Sequence, residues 1–340
     1  MFMVPELARL EETGRLGVFH LKRYWSKALR SRSGHRLVPG ETAADHTLLC
    51  GLHIGVEEAV RHIVGNALSF EQVEDWVEEI NGGAIDPARV EELNAALSGR
   101  IDTGVPPAPG SPEAALAAAD LAFWEEHGYV LLHNAITPDQ RRAAAEAIYQ
   151  FVAADPERPE TWYANPCGHS IWVNLLRHPA LQAARESARV RTAFAQIWGR
   201  TDMWASIDQG GFNPPVRDNW MFPGPHLHWD VSIAQPVPLG AQGILYLTDT
   251  AENQGAFTCV PGFHRRLAAW LKELPAGANP RDLSILQAMP AIPIAAPAGT
   301  LIIWHQALPH GASPNTSTVP RVAQYIRMQP TTWEENPIWI

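Results

Sequence analysis

Residues 226–232 read HLHWDVS. Three potential metal ligands, His226, His228 and Asp230, fall at alternate positions around Trp229. On a β-strand, successive side chains alternate between faces. His226, His228 and Asp230 then point one way, and Leu227, Trp229 and Val231 the other. A His-x-Asp pair on one face can clasp an ion, but two ligands do not make a site. A third has to come from another strand that the fold brings alongside, so the reading of these seven residues depends on the architecture around them.

Working outward, short apolar or alternating runs recur after about residue 200 between Gly and Pro breaks: MWASIDQGGF, QGILYLTDT, GAFTCVPGF, AIPIAA, GTLIIWH and RVAQYIRMQ. That spacing predicts an all-β sandwich or barrel. The first hundred residues read mostly helical. LARLEETG, VFHLKRYWSKALRSR, HTLLCGLHIGVEEAVRHIV and SFEQVEDWVEEING carry apolar residues three to four apart. Ser69 with Gln72 has the form of a capping box, and Asn81-Gly82-Gly83 is a stop signal. GVPPAPGSPEA, residues 104–114, packs four prolines and two glycines into a linker or an extended wrap across the next domain. EAALAAADLAFWEEHG then reads as a helix and YVLLHNA as a strand. ITPDQRRAAAEAIYQFVAA is a helix with Thr137 as N-cap and Pro138 in its first turn. The expected organisation is an N-terminal helical region over 1–103, a Pro-rich linker over 104–116 and a mainly β domain with flanking helices over 117–340.

The composition narrows the function. At 340 residues and 46% hydrophobic, the chain can build a substantial core. No run of about 18 apolar residues predicts a membrane span, and the first residues, MFMVPELARLEETG, lack the pattern of a secretory signal. Cys50, Cys167 and Cys259 are odd in number and widely spaced, which fits a reducing cytoplasm better than a disulfide framework. A formal charge of −10 argues against a nucleic-acid partner. It leaves room for a small molecule, including an anion met by one or two placed cations. A homodimer is compatible with the sequence.

The third ligand is best sought in IIWHQALPHGASPNTSTVPR, residues 302–321. His310 opens a turn-rich stretch there, 82 positions after His228; His305, nearer the middle of the apolar run, is the rival. Two histidines and a carboxylate on one side of an ion form a facial set that leaves positions open and suits non-haem Fe(II). Arg321 follows eleven residues after His310. On the next strand it can return to the same cavity, where a guanidinium offers a fork for a carboxylate; Arg327 is its rival. One arginine aimed into the metal pocket of an acidic protein implies a carboxylate-bearing co-substrate.

Taken together, DLAFWEEHGYVLLHNAITPDQRRAAAEAI, HLHWD, QGAFTCVPGFHRR and PHGASPNTSTVPR resemble the phytanoyl-CoA dioxygenase family of Fe(II)/2-oxoglutarate-dependent oxygenases over roughly residues 118–330. The resemblance implies a double-stranded β-helix, a jelly-roll, cupin-like barrel, beside the N-terminal helical region. It implies Fe(II) held by His228, Asp230 and His310, 2-oxoglutarate held through its far carboxylate by Arg321, and O2 as oxidant. It further implies oxidation of a small organic molecule, most simply hydroxylation, with release of succinate and CO2. Related halogenases carry a small residue where Asp230 stands, so oxygenation is the expected chemistry. An acyl-CoA substrate would want a basic patch, and apart from His264-Arg265-Arg266 this half is not conspicuously basic. The competing readings are a non-catalytic ligand-binding or sensing protein on the same barrel, and a cupin-type metalloenzyme that does not use 2-oxoglutarate.

His226, Trp220 and Trp304 are the candidate substrate contacts. Gln209, Asn213 and Gln242 are candidates for either ligand, and the sequence does not choose among them. Trp229 is expected in the core, and His264 as a structural residue of its turn. His46, Cys50, His53 and Glu57 fall at i, i+4, i+7 and i+11, one stripe of a continuous helix. It reads as a buried polar face rather than a second metal site.

Overall fold

The computed structural model describes residues 4–35, 38–336 and 338–340. In chain order the elements are α1 (Leu21–Arg32), α2 (Thr42–Gly51), α3 (Val56–Ala59), α4 (Phe70–Ile80), α5 (Pro87–Leu97), α6 (Ala118–His127), β1 (Tyr129–Leu132), α7 (Pro138–Phe151), β2 (Trp172–Val173), α8 (Pro179–Arg185), α9 (Ala188–Trp198), β3 (Met203–Ala205), β4 (Gly210–Asn213), β5 (Ala241–Tyr246), β6 (Phe257–Cys259), α10 (Phe263–Glu273), α11 (Leu283–Gln287), β7 (Ile292–Pro293), β8 (Leu301–His305), β9 (His310–Ala312), β10 (Arg321–Tyr325) and β11 (Met328–Pro330). No helix among the described residues is long and apolar enough to cross a membrane.

The chain divides into two compact units. The first comprises the described residues up to Val105 together with Arg200–Ile207 and the segment beginning at Met328. Its core is helical: Leu21, Leu48, Leu52, Val73, Val77 and Leu93 are fully buried. Strands β3 and β11 pair antiparallel, and Trp204 of β3 joins that core. Ser69 caps α4 by accepting from Gln72 N–H, and the Gln72 side chain accepts from Ser69 N–H, the reciprocal pair read in the sequence.

Two helical expectations fail here. LARLEETG forms no helix. Gly14 instead leaves a gap filled by the buried Glu74 carboxylate, which accepts from Leu16 N–H at 3.0 Å; a Cβ on Gly14 would collide with it. The stretch from His46 to Glu57 is not one helix either. Helix α2 closes in a Schellman turn, with His53 left-handed at φ 56°, His53 N–H on Cys50 O and Ile54 N–H on Leu49 O. The four-residue stripe is therefore broken in its middle.

The second unit carries the two larger sheets. One has the order β1-β8-β5-β10-β4-β2 and the other β7-β6-β9, with an isolated bridge pairing His228 to His310 beyond β9. Successive segments alternate between them: β4 in the first, His228 in the second, β5 in the first, β6 and β7 in the second, β8, β9 and β10 in turn. All these pairings are antiparallel. Residues directly opposite in such a ladder share a face. The register therefore puts Tyr129, Trp304, Gln242, Ile244, Ala323, Arg321 and Asn213 on one side of the larger sheet. Several of these pack with Phe257, Cys259 and Trp229 in one buried cluster that spans both sheets. The opposite face is covered by helices: Phe212 meets Tyr149 of α7, and Gln324 donates to Leu181 O of α8. Thr137 caps α7, with Pro138 next to it, as its sequence predicts. The Pro-rich stretch is irregular, and its end is tied to α9 by the Gln196 amide, which accepts from Ala115 and Leu116 N–H.

Candidate metal centre

HLHWDVS is not a regular strand. Only His228 pairs, exchanging both backbone hydrogen bonds with His310 (2.8 and 3.0 Å). Pro223 and Pro225 lack the N–H groups a ladder would need just upstream. Alternation survives all the same. Trp229 is buried and its indole donates to Ala307 O at 2.9 Å, which turns its neighbours His228 and Asp230 the other way. Gly311 makes the close approach possible. A Cβ there would lie 2.7 Å from His226 O and 2.9 Å from Pro225 O, both rigid backbone.

His228, Asp230 and His310 thus come together, each offering a ligand atom within 4.8 Å of the others. The Nε2 atom of His228 lies 3.1 Å from Asp230 Oδ1, and that of His310 lies 3.3 Å from Asp230 Oδ2. Both Nδ1 atoms face backbone carbonyls, His226 O at 2.7 Å and Leu308 O at 3.1 Å. A carbonyl only accepts, so each Nδ1 carries a proton and each Nε2 is the atom turned to the centre. Neutral rings would aim lone pairs at a carboxylate. The arrangement balances only with positive charge among the three groups, as protons on the rings or as a metal ion. The electrostatics agree. Burial works to raise the Asp230 carboxyl, but hydrogen bonds and charge from His228 and His310 outweigh it and hold the group far below the usual carboxylate range. Burial works to lower His228, yet the Asp230 carboxylate raises it. Although Asp230 is enclosed enough to be strongly desolvated, 45% of its side chain is still reached by solvent. It sits where solvent reaches it rather than in the core.

Arg321, at the start of β10, is fully buried, and none of its three guanidinium nitrogens has a hydrogen-bond partner among the described residues. A buried guanidinium without an anion is costly, so this position fits a carboxylate-bearing ligand. Directly opposite on β4, Asn213 has an unpartnered Oδ1 and is also fully buried. The rival His305 lies on the other face of β8 from Trp304. Its ring packs near Trp124 and His264, and its Nδ1 accepts from Ala307 N–H.

The remaining candidates are dispersed. Trp304 is buried, donates its indole N–H to Gln242 Oε1 (3.0 Å) and packs on the His310 ring (centroids 5.0 Å). Gln242 in turn donates to Asp230 Oδ2 at 2.8 Å. Trp220 is buried against Tyr163 and His169 in the loop preceding the ligand stretch. The exposed His226 ring packs on Phe222. Gln209 offers its backbone carbonyl to Tyr325 N–H. His264 donates from Nε2 to Glu125 O.

A family model described as phytanoyl-CoA dioxygenase matches residues 124–323, well over half of the chain. The chain belongs to the phytanoyl-CoA dioxygenase family. A Dictyostelium discoideum relative carried under the phytanoyl-CoA dioxygenase name is 32% identical over 260 residues, covering 62% of this chain and 74% of that one. The ectoine dioxygenase of Bordetella bronchiseptica is 23% identical over 227 residues, covering 61% and 73%. Among solved structures, EctD from S. alaskensis, crystallised with bound Fe, superposes with a TM-score of 0.48 at 17% identity, covering 69% of this chain and 84% of that one.

The family match includes every residue of the triad and Arg321, but not the first unit's helices. At the starts of α1 and α2 that unit holds a second cluster of ligand-type side chains, His20, Glu41 and Asp45. Its centre is taken by the Lys27 ammonium, 2.6 Å from both Asp45 oxygens and 3.0 Å from Glu41, with Arg23 on Glu41 as well. It is an ion-pair network. Arg281 escaped the sequence reading. It donates to the carbonyls of Trp229 (2.8 Å) and Val231 (2.6 Å), on either side of Asp230.

Proposed function

We propose that this chain is an Fe(II)/2-oxoglutarate-dependent dioxygenase acting on a small organic molecule. The observation that carries the reading is Arg321: a buried guanidinium with three unpartnered nitrogens, in the same unit as a His/Asp/His set whose charge calls for a cation. His228, Asp230 and His310 would hold the iron. Two imidazoles and one carboxylate leave further positions free for a chelating co-substrate and dioxygen. Arg321 would take the far carboxylate of 2-oxoglutarate. When bound, iron, 2-oxoglutarate and O2 supply the oxidising equivalent that turns a substrate C–H into C–OH, with succinate and CO2 released. The alternation of strands between the two sheets supports reading the second unit as a double-stranded β-helix, with the triad set between its sheets.

The chain's own residues do the positioning. Backbone carbonyls fix both imidazole tautomers before any ion arrives, which lowers the ordering cost of binding. Phe257 and Trp304 wall the His310 side with apolar surface and keep water from it. The solvent-reached side of Asp230 is where substrate would enter. The exposed His226 ring, two residues before His228, is the proposed contact there, and hydroxylation is the simplest outcome.

The test is an anaerobic titration of metal-free protein with Fe(II) and 2-oxoglutarate, followed by visible absorption. We expect a weak charge-transfer band that needs both additions, disappears in Asp230→Ala and requires more 2-oxoglutarate in Arg321→Ala. A folded protein that binds Fe(II) but gives no band would exclude 2-oxoglutarate as the co-substrate.

A further inference from the structure

Gln242 stands on β5 directly opposite Trp304 on β8, on the side that faces the triad. Its amide is committed at both ends. The Trp304 indole N–H can only donate, and it meets Gln242 Oε1 at 3.0 Å. The amide cannot then be turned over: its NH2 must face the other way, and there it donates to Asp230 Oδ2 at 2.8 Å. Asp230 needs such a tether. Its segment makes no ladder beyond the single His228 bridge, and nearly half of its side chain is reached by solvent. Among the described residues its carboxylate meets only His228, His310 and Gln242, and the first two are the groups it must share an ion with.

We propose that Gln242, oriented by Trp304, is a positioning residue of the metal centre. It occupies Asp230 Oδ2 so that the carboxylate offers the ion one oxygen, Oδ1, rather than two. The inference rests on the reading of His228, Asp230 and His310 as a metal site. Its consequence is a coordination number. A carboxylate held one-toothed leaves the ion the free positions that a chelating co-substrate and a further small ligand require. A carboxylate free to swing would close one of them or turn out to solvent. Trp304 braces the site twice, through the Gln242 amide and through its ring against His310 (centroids 5.0 Å), and the Trp304 ring is in turn backed by Phe257 at 4.5 Å. With its N–H spent on Gln242 and its ring buried, Trp304 acts from behind the ligands, and a substrate approaching the solvent-reached side of Asp230 meets other side chains.

The experiment uses the full chain freed of metal, with Co(II) as probe, in the wild type, Gln242→Met, Gln242→Asn, Trp304→Phe and Gln242→Met/Trp304→Phe. Three quantities are read: the Co(II) dissociation constant, the visible d–d spectrum and the urea midpoint without metal. Met fills the space without a donor, Asn keeps the amide but falls short by a methylene, and Phe keeps the ring without the N–H. We expect Gln242→Met to weaken Co(II) about 10- to 100-fold, the range typical when a group holding a metal ligand is removed. The d–d band should change intensity as the carboxylate changes mode, while the metal-free midpoint falls only by the cost of leaving the buried Trp304 N–H without its acceptor and the protein stays folded. Gln242→Asn should behave likewise, and Trp304→Phe should lose part of the same affinity. In the double variant the losses should not multiply, because Trp304 acts through Gln242. Wild-type affinity and spectrum in both folded Gln242 variants would overturn the positioning role while leaving the metal centre intact. Losses that multiply would overturn the part assigned to Trp304. A wild type that binds no Co(II) would remove the metal-centre reading and this inference with it.

Discussion

Arg321 and Asn213 stand directly opposite one another in the β4–β10 ladder. Both are fully buried, and the three guanidinium nitrogens and the Asn213 Oδ1 all lack a partner among the described residues. Charge-assisted hydrogen bonds from a guanidinium to a carboxylate contribute about 1.5–3 kcal/mol. Arg321→Met should therefore weaken 2-oxoglutarate binding to the metal-loaded protein roughly 10- to 150-fold. It also removes a buried charge with no counterion, so without 2-oxoglutarate the variant should be at least as stable as the wild type. Thermal unfolding with and without 2-oxoglutarate, under anaerobic conditions, checks both halves. A ligand-induced rise in Tm as large in Arg321→Met as in the wild type would contradict the assignment.

Gly311 neighbours His310 and is the point where the two ligand-bearing segments touch. A Cβ there meets only backbone, at 2.7–2.9 Å, so the segments have to part by several tenths of an ångström. Overpacking of this kind costs about 1–3 kcal/mol. Gly311→Ala should lower the urea midpoint accordingly. It should also weaken Co(II) binding, since His228 and His310 are held together by the hydrogen bonds on either side of that glycine. A variant that is destabilised but binds Co(II) as the wild type does would show that the pairing of the segments is not what sets the ligand geometry.

His305 gives the fold a pH dependence separate from the triad. Burial, with a smaller push from His264, lowers its pKa to about 4 from an ordinary value of 6.5. Its Nδ1 also accepts from Ala307 N–H, which a protonated ring cannot do. The unfolded chain binds this proton more readily than the folded one between those two values. Stability from the neutral ring is thus complete above about pH 6.5 and is lost as pH falls through 4, about 3 kcal/mol by that point. His305→Asn keeps an acceptor near the Ala307 N–H and removes the titration. Urea midpoints measured from pH 7 to pH 4 should fall less steeply for the variant than for the wild type, and parallel slopes would rule His305 out as the source.

Much of the second unit is legible in the sequence because its signals are local or carried by spacing. YVLLHNA, QGILYLTDT, GAFTCVPGF, GTLIIWH and RVAQYIRMQ each contain an observed strand, and Thr137-Pro138 opens α7 where it should. His228 and Asp230 share a side because Trp229 between them is drawn into the core. What stayed hidden depends on partners distant in sequence. RVAQYIRMQ reads as one strand, yet β10 and β11 within it belong to different units. Apolar spacing alone made LARLEETG a helix, whereas the packing of Glu74 against Gly14 holds it in a loop. Gln242 was one of three polar candidates, and only the register opposite Trp304 singles it out. Arg281 left no trace at all, because its partners are backbone carbonyls and every residue type carries one.

Arg281 supports the last prediction. Besides the carbonyls of Trp229 and Val231, it donates to Ile340 O from Nε (3.1 Å) and Nη2 (2.8 Å), and its guanidinium lies over the Trp339 ring at 4.9 Å. Ser232 adds a second tie, donating to Ile338 O at 2.6 Å and accepting from Ile340 N–H at 3.2 Å. Residues 338–340 and Arg281 together therefore fix the backbone on both sides of Asp230. A planar fork reaches three carbonyls at once; an ammonium on a flexible stem does not. Arg281→Lys should consequently behave more like Arg281→Ala than like the wild type, with Co(II) affinity down about 10-fold in both, the low end for loss of a group that holds a metal ligand in place. Deleting residues 338–340 should give a smaller loss, because the hydrogen bonds to Trp229 and Val231 remain. If Arg281→Lys keeps wild-type affinity while Arg281→Ala loses it, positive charge near Asp230 rather than the carbonyl clamp is what matters. If the deletion costs as much as Arg281→Ala, the clamp acts mainly through residues 338–340.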